Sequence, residues 1–191
     1  QATPDLRPAV EELLLEDDFS QPGAWTTQRS DFGSAAYGKN ELTLALPILE
    51  SRYTLNSLRS GLTVSDFYLE MTVSPSLCGG ENSYGILFRT QSDTQYYRLQ
   101  ISCAGQLRLE RVRGSEISVL QDWINTGAIP PNAPVSLRVG IWASRKEMRV
   151  FLNDGYQFSA SDSIFYEGGI GVFARSMGGS ALTVNFSNLK V

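Results

Sequence analysis

Apolar and polar residues alternate along most of the chain from Leu42 onward, in short runs that Gly, Pro, Asn, Asp and Ser interrupt. A period of two residues predicts β-strands that bury one face, and turn residues at roughly 8- to 12-residue spacing are typical of antiparallel sandwiches and barrels. The residues expected to point inward are Phe67, Leu69, Met71, Val73, Tyr84, Ile86, Phe88, Tyr97, Leu99, Ile101, Leu107, Leu109, Val135, Leu137, Val139, Ile141, Met148, Val150, Leu152, Ile170, Val172, Leu182, Val184 and Phe186. Helical spacing occurs only from Pro8 to Asp17, where it predicts at most a short helical turn.

Three hairpins can be placed in register, because both strands of a hairpin must put apolar residues on the same face. Their turns are Ser92-Asp93, Cys103-Ala104-Gly105 and Asn153-Asp154-Gly155. The predicted apolar pairs are Phe88–Tyr97, Ile86–Leu99, Tyr84–Ile101, Ile101–Leu107, Leu99–Leu109, Leu152–Tyr156 and Val150–Phe158. Three hairpins that close consistently indicate a meandering antiparallel sheet.

The chain has two cysteines, Cys78 and Cys103. The hairpin register places Cys103 opposite Asn82, and the intervening Gly79 and Gly80 let the chain fold back toward it. We therefore predict a Cys78–Cys103 disulfide, worth about 3.5 kcal/mol in the chain-entropy model, and with it an oxidising, extracytoplasmic location. The alternative is two unrelated buried thiols in an intracellular protein.

Composition excludes several kinds of chemistry. The absence of histidine removes Ser-His-Asp and Cys-His catalysis and His-ligated zinc. A net charge of −4 and a pI near 4.9 argue against a nucleic-acid partner. No apolar run reaches the roughly 18 residues of a transmembrane helix. We expect a mature chain without its signal sequence, made of a flexible lead-in at 1–12 and a single domain at 13–191.

Several segments together resemble the concanavalin A-like lectin/glucanase superfamily. They are Asp18-Phe19-Ser20 with Gly23-Ala24-Trp25, Asp66 to Val73, Tyr84 to Arg89, Tyr96 to Ile101, Leu137-Arg138-Val139, Val150 to Gly155, and Gly168 to Phe173. The resemblance covers about residues 13 to 191. It is strongest to laminin-G-like and keto-disaccharide-hydrolase-like domains of bacterial surface proteins and lipoproteins. It implies an all-β, two-sheet antiparallel jelly-roll sandwich that binds glycans or peptides on one face or its edge loops.

A row of polar residues is predicted on the outward face of the strands. It contains Glu70, Arg89, Arg98 and Arg108, with Gln100 and Glu110 among them, and Gly85 leaves room for a ligand. Arginine forks can hold sugar hydroxyls or carboxylates, and Trp142 on an outward position could stack on a sugar ring. The alternative is a solvated face with cross-strand Glu/Arg pairs.

These features predict a non-catalytic, lectin-like module for a polysaccharide or surface glycan, with no cofactor. The Glu-x-Asp-x-x-Glu set of related glycosidases is absent, so enzymatic activity would need Glu70, Glu110 or an Asp, with a metal. A second alternative is a structural or protein-interaction domain of a surface assembly. Related sandwiches often carry a structural Ca²⁺, for which Asp17 and Asp18 are the candidate ligands.

Overall fold

The computed structural model describes residues 6–127, 129–130 and 133–191, which form fifteen β-strands and no helix. The strands are β1 Glu16–Asp17, β2 Gln28–Ser30, β3 Gly33–Tyr37, β4 Leu42–Leu46, β5 Tyr53–Leu58, β6 Phe67–Leu77, β7 Ser83–Ser92, β8 Gln95–Ser102, β9 Gln106–Arg113, β10 Glu116–Asn125, β11 Leu137–Ser144, β12 Glu147–Leu152, β13 Gly155–Ser161, β14 Gly169–Ser176 and β15 Leu182–Lys190. Within these ranges no helix is long and apolar enough to cross a membrane.

The strands form two antiparallel sheets. The nine-stranded sheet runs β13-β12-β11-β6-β15-β4-β3-β2, with β1 paired to β15, and the six-stranded sheet runs β10-β9-β8-β7-β14-β5. Chain-distant strands lie side by side in both sheets, as β6 and β15 do in the larger one. The predicted all-β, two-sheet antiparallel jelly-roll sandwich is therefore confirmed.

The core lies between the sheets and contains the residues that alternation places inward. All of them are buried except Val135, which is partly buried against the core. The pairs Phe88–Tyr97, Ile101–Leu107 and Val150–Phe158 are confirmed. The pair Leu152–Tyr156 is wrong, because a bulge between Val150 and Phe151 shifts the register and places Leu152 opposite Gly155.

The disulfide is present between Cys78 and Cys103, whose Cα atoms are 5.5 Å apart. As the register predicts, Cys103 lies opposite Asn82: its backbone N–H donates to the Asn82 carbonyl at 3.1 Å. The bond joins the segment before β7 to the turn between β8 and β9.

The N-terminal segment differs from its prediction. The helical turn expected within Pro8 to Asp17 is absent, because the segment pairs with the C-terminus instead: the N–H groups of Leu14 and Leu15 both donate to the Val191 carbonyl. Residues 1–5 of the predicted lead-in lie outside the described residues.

Candidate functional site

A cleft of about 590 Å³ lies on the outer face of the six-stranded sheet. Strands β7, β8, β9 and β14 form its floor, and the edge strand β10 forms one wall. Residues that define it include Ser83, Gln100, Arg108, Glu110, Trp123 and Arg175.

Strand alternation places these side chains together. Their sequence neighbours Tyr84, Leu99 and Leu109 fill the core, so the intervening residues must point outward. Cross-strand pairing aligns the outward residues in rows, about 7 Å apart along the strands. The rows are Leu87–Arg98–Glu110, Phe173–Gly85–Gln100–Arg108 and Arg175–Ser83–Ser102.

A buried ion pair forms the base of the cleft. Arg98 is 4% exposed and donates through Nε and Nη2 to Oε2 of Glu110, at 3.0 and 2.7 Å. The other oxygen of Glu110, which is 2% exposed, lies 3.1 Å from Nε of Arg108. The Phe173 ring packs against the Arg98 guanidinium, 5.7 Å from centroid to Cζ. One carboxylate therefore faces two guanidinium groups, and both of its oxygens are occupied.

Two buried N–H donors in the cleft lack an acceptor among the described residues. Gln100 is 2% exposed; Ser83 Oγ donates to its Oε1 at 2.9 Å, and its Nε2 has no partner. Nε of Arg108 is close to Glu110 but is not aligned for a hydrogen bond, so that contact is an ion pair only. Buried donors without acceptors cost about 1–3 kcal/mol each, so their presence at a cleft calls for an explanation.

Arg175 differs from Arg98 and Arg108 in its lack of a paired carboxylate among the described residues. It is partly buried, and its guanidinium has neither a hydrogen bond nor a salt bridge to any described residue. Burial lowers its pKa, and the neighbouring charge of Arg98 lowers that pKa further, with only Glu110 acting in the opposite direction among the nearby charges. Arg175 therefore has hydrogen-bonding capacity that no described residue uses.

The β10 wall is apolar. Ile117 and Val119 are each about half exposed and line the cleft, as does Trp123 further along the same strand. The Arg108 guanidinium lies over the Trp123 ring at 5.7 Å. A flat ring beside buried donors provides both a stacking surface and directional polar contacts.

The structure separates the residues that the sequence placed in one row. Arg108 lines the cleft and Arg98 is buried beneath it against Glu110, but Glu70 and Trp142 lie on the outer face of the nine-stranded sheet, on β6 and β11. There Glu70 contacts Arg138 at 3.1 Å, and Trp142 stacks with Arg149 at 4.4 Å. The prediction of one shared face is wrong, because alternation distinguishes inward from outward but not one sheet from the other.

Arg89 does not point outward. It sits in an irregular part of β7 with φ +48° and is fully buried. Its guanidinium donates to the carbonyls of Ser65, Arg145 and Phe165 at 2.6–3.3 Å. Because the bulge breaks the two-residue alternation, Arg89 holds loops of the two sheets together instead of facing a ligand.

Gly85 faces outward as predicted, but it leaves no room for a ligand. The Phe173 ring occupies that space, 3.2 Å from where a Cβ would stand, and the Leu99 carbonyl lies at 2.0 Å from the same point. Close packing of backbone and ring explains the glycine here.

Arg175 and Trp123 were missed by sequence reasoning. Arg175 could have been found from the inward positions Ile170 and Val172, because the same alternation continued along β14 predicts that Arg175 points outward. No comparable signal identified Trp123, because two register shifts interrupt the alternation of β10 between Val119 and Ile124.

The predicted metal ligands have other partners. Asp17 accepts hydrogen bonds from Trp25 Nε1, Arg59 Nε and the Phe19 N–H. Asp18 accepts from the Ser20 N–H. Among the residues described by the structure, no cluster of three or more His, Cys, Asp or Glu could hold a metal ion. A structural Ca²⁺ stays a prediction.

No protein-family model matches the chain, and no curated protein matches it. Solved structures with the same architecture include the carbohydrate-binding module CBM66 from Bacillus subtilis, at 19% identity and TM-score 0.66 over 87% of this chain and 93% of that one. A glycoside hydrolase family 16 endo-glucanase from Bacteroides ovatus aligns at 8% identity and TM-score 0.66, over 93% of this chain and 100% of that one. A GlcNAcα1-4Gal-releasing endo-β-galactosidase from Clostridium perfringens aligns at 11% identity and TM-score 0.63, over 100% of this chain and 64% of that one. These likenesses show a jelly-roll sandwich fold.

Proposed function

We propose that this chain is a non-catalytic carbohydrate-binding module whose ligand lies in the cleft on the six-stranded sheet. The observation that carries the proposal is the cleft itself, where the partly exposed Trp123 ring adjoins buried N–H donors with no partner among the described residues. Ring stacking on a sugar face and directional hydrogen bonds to its oxygens are what a glycan site requires. Carbohydrate-binding and glycoside-hydrolase proteins among the structural neighbours support the same class of ligand.

The carboxylates of the cleft favour binding over hydrolysis. Glycosidic cleavage by the usual mechanism needs two carboxyl groups, one on each side of the scissile bond. Both oxygens of Glu110 lie against guanidinium groups, and the other carboxylate lining the cleft is the exposed Glu81. We therefore expect a ligand to be held without turnover.

The experiment is calorimetry against a panel of plant and bacterial polysaccharides, with two tryptophan variants. Trp123→Ala should weaken binding by about 1–2 kcal/mol, roughly 5- to 30-fold, since it removes the stacking surface. Trp142→Ala, on the opposite sheet, is the matched control and should leave the affinity unchanged. Absence of binding at millimolar ligand across the panel contradicts the proposal, as does release of reducing sugar by the unmodified protein.

We also propose an extracytoplasmic location, secreted or surface-anchored, and a relationship to laminin-G-like and keto-disaccharide-hydrolase-like domains of bacterial surface proteins and lipoproteins. The disulfide supports the location, because such bonds persist mainly in oxidising compartments. Mass spectrometry of non-reduced peptides from natively produced protein should show Cys78 and Cys103 linked. Two free thiols in that material would contradict the location.

A further inference from the structure

We propose that the cleft selects acidic glycans and places a carboxylate or sulfate group of the ligand against Arg175 and Gln100. The inference rests on the proposed carbohydrate-binding function and adds the chemical class of the ligand. It is carried by two observations on the six-stranded sheet: a partly buried guanidinium without a salt bridge to a described residue, and a buried amide donor without an acceptor among them.

The first observation concerns charge. Three guanidinium groups, those of Arg98, Arg108 and Arg175, surround a single buried carboxylate. Arg98 and Arg108 occupy both oxygens of Glu110, so Arg175 forms no salt bridge with a described residue and shares this one carboxylate with two other cations. A bound anion would supply the missing charge, and the planar guanidinium fork matches the geometry of carboxylate and sulfate oxygens.

The second observation concerns hydrogen-bonding capacity. The buried polar atoms of the cleft that lack partners among the described residues, Gln100 Nε2 and Arg108 Nε, are both donors. A sugar hydroxyl both donates and accepts, whereas a carboxylate or sulfate oxygen only accepts. A floor with donors to satisfy and no free buried carboxylate therefore suits an anionic group better than a hydroxyl.

Any attraction of an acidic glycan to this protein must be local to the cleft. The whole chain carries a net charge of −4, and the exposed carboxylates Glu81 and Asp122 lie at the cleft rim, so a polyanion gains little from the protein surface at large. Binding of an acidic glycan must come from the contacts on the cleft floor.

The test compares matched pairs of polysaccharides by calorimetry: polygalacturonate against its methyl ester, and dextran sulfate against dextran. The unmodified protein should bind the acidic member of at least one pair tenfold or more tightly, and the pair that responds identifies carboxylate or sulfate. Arg175→Gln should weaken that binding about 10- to 100-fold, the range expected on losing a charge-assisted hydrogen bond. Arg175→Lys should recover part of it.

Two further variants complete the test. Gln100→Glu replaces the donor with an anion of the same shape and should also abolish the preference, whereas Arg113→Gln, an exposed arginine at the end of β9, should not. Circular dichroism confirms that each variant is folded. Equal binding of both members of every pair overturns this inference and leaves the proposed function standing. Failure to bind any glycan overturns both, and equally tight binding of polyglutamate identifies an acidic peptide as the partner and overturns the inference.

Discussion

The outer faces of both sheets carry arginines and carboxylates, but these side chains differ between the two faces in burial and in pairing. On the nine-stranded sheet, Arg138 contacts both Glu70 and Asp154, and these groups keep 30–45% of their side-chain surface exposed. On the six-stranded sheet, the Arg98–Glu110 pair is almost completely buried, and Arg175 forms no salt bridge with a described residue. A row of arginines is therefore not enough to indicate a ligand site, and the proposed site differs from the other face by its burial and its unsatisfied hydrogen-bonding groups.

The difference originates at the sheet edge. The register of β10 against β9 shifts between Val119 and Gln121 and again before Ile124. Such irregularities bend and twist a strand, and here the bent strand forms the cleft wall. No described strand rises in the same way over Glu70 and Arg138, so their charges stay in water, where ion pairs contribute little.

The largest expected contrast comes from removing one carboxylate from each face. Glu110→Gln leaves the buried Arg98 without its counter-charge and should lower the free energy of unfolding by about 3–5 kcal/mol. Glu70→Gln breaks an exposed pair and should cost less than about 1 kcal/mol. Urea denaturation of both variants at neutral pH measures the contrast. Similar losses for the two would mean that the faces do not differ in the way described.

A smaller effect is expected from a side-chain hydrogen bond that links the two sheets. Tyr97 of β8 donates through its hydroxyl to Asp162, which follows β13, and burial raises the pKa of the phenol to about 12. Because the folded state favours the protonated phenol, this contribution is complete below pH 10 and is lost as the pH rises through 12. Tyr97→Phe should cost about 1 kcal/mol at pH 7. The gap between variant and parent should close between pH 10 and 12 in urea titrations; a gap constant with pH would contradict the assignment.

The smallest expected effect has opposite signs on the two faces. Arg175→Met removes a partly desolvated charge that forms no salt bridge with a described residue, so it should raise stability by about 0.5 kcal/mol while weakening ligand binding. Such a trade-off is common at functional sites. Arg149→Met removes a cation that stacks on Trp142 and pairs with Glu147, so it should lower stability by about 0.5 kcal/mol. Thermal unfolding in parallel detects the difference in sign, and a loss of stability in both variants would show that Arg175 is satisfied in the free protein.

Most of the fold could be predicted because alternation and turn residues are local properties. They determined the core positions and the β7–β8–β9 registers, and the disulfide followed from those registers. Prediction failed where one extra residue entered a strand, as at Arg89 in β7 and at Gln157 in β13, because a bulge breaks the two-residue alternation on which the register prediction rests. It also failed to separate Glu70 from Arg98, since the assignment of strands to sheets depends on long-range pairing that no local pattern contains.

Most of the residues that line the cleft come from one continuous stretch of the chain. Of the described residues that line it, only Arg175 and Met177 come from outside the continuous stretch 80–123, which includes the β7–β10 meander. Variation within that stretch alters the walls and the stacking surface, whereas a single codon in β14 sets the uncompensated charge. A substitution at Arg175 can therefore change the charge of the ligand that the cleft accepts while the residues of 80–123, including the stacking surface, stay the same.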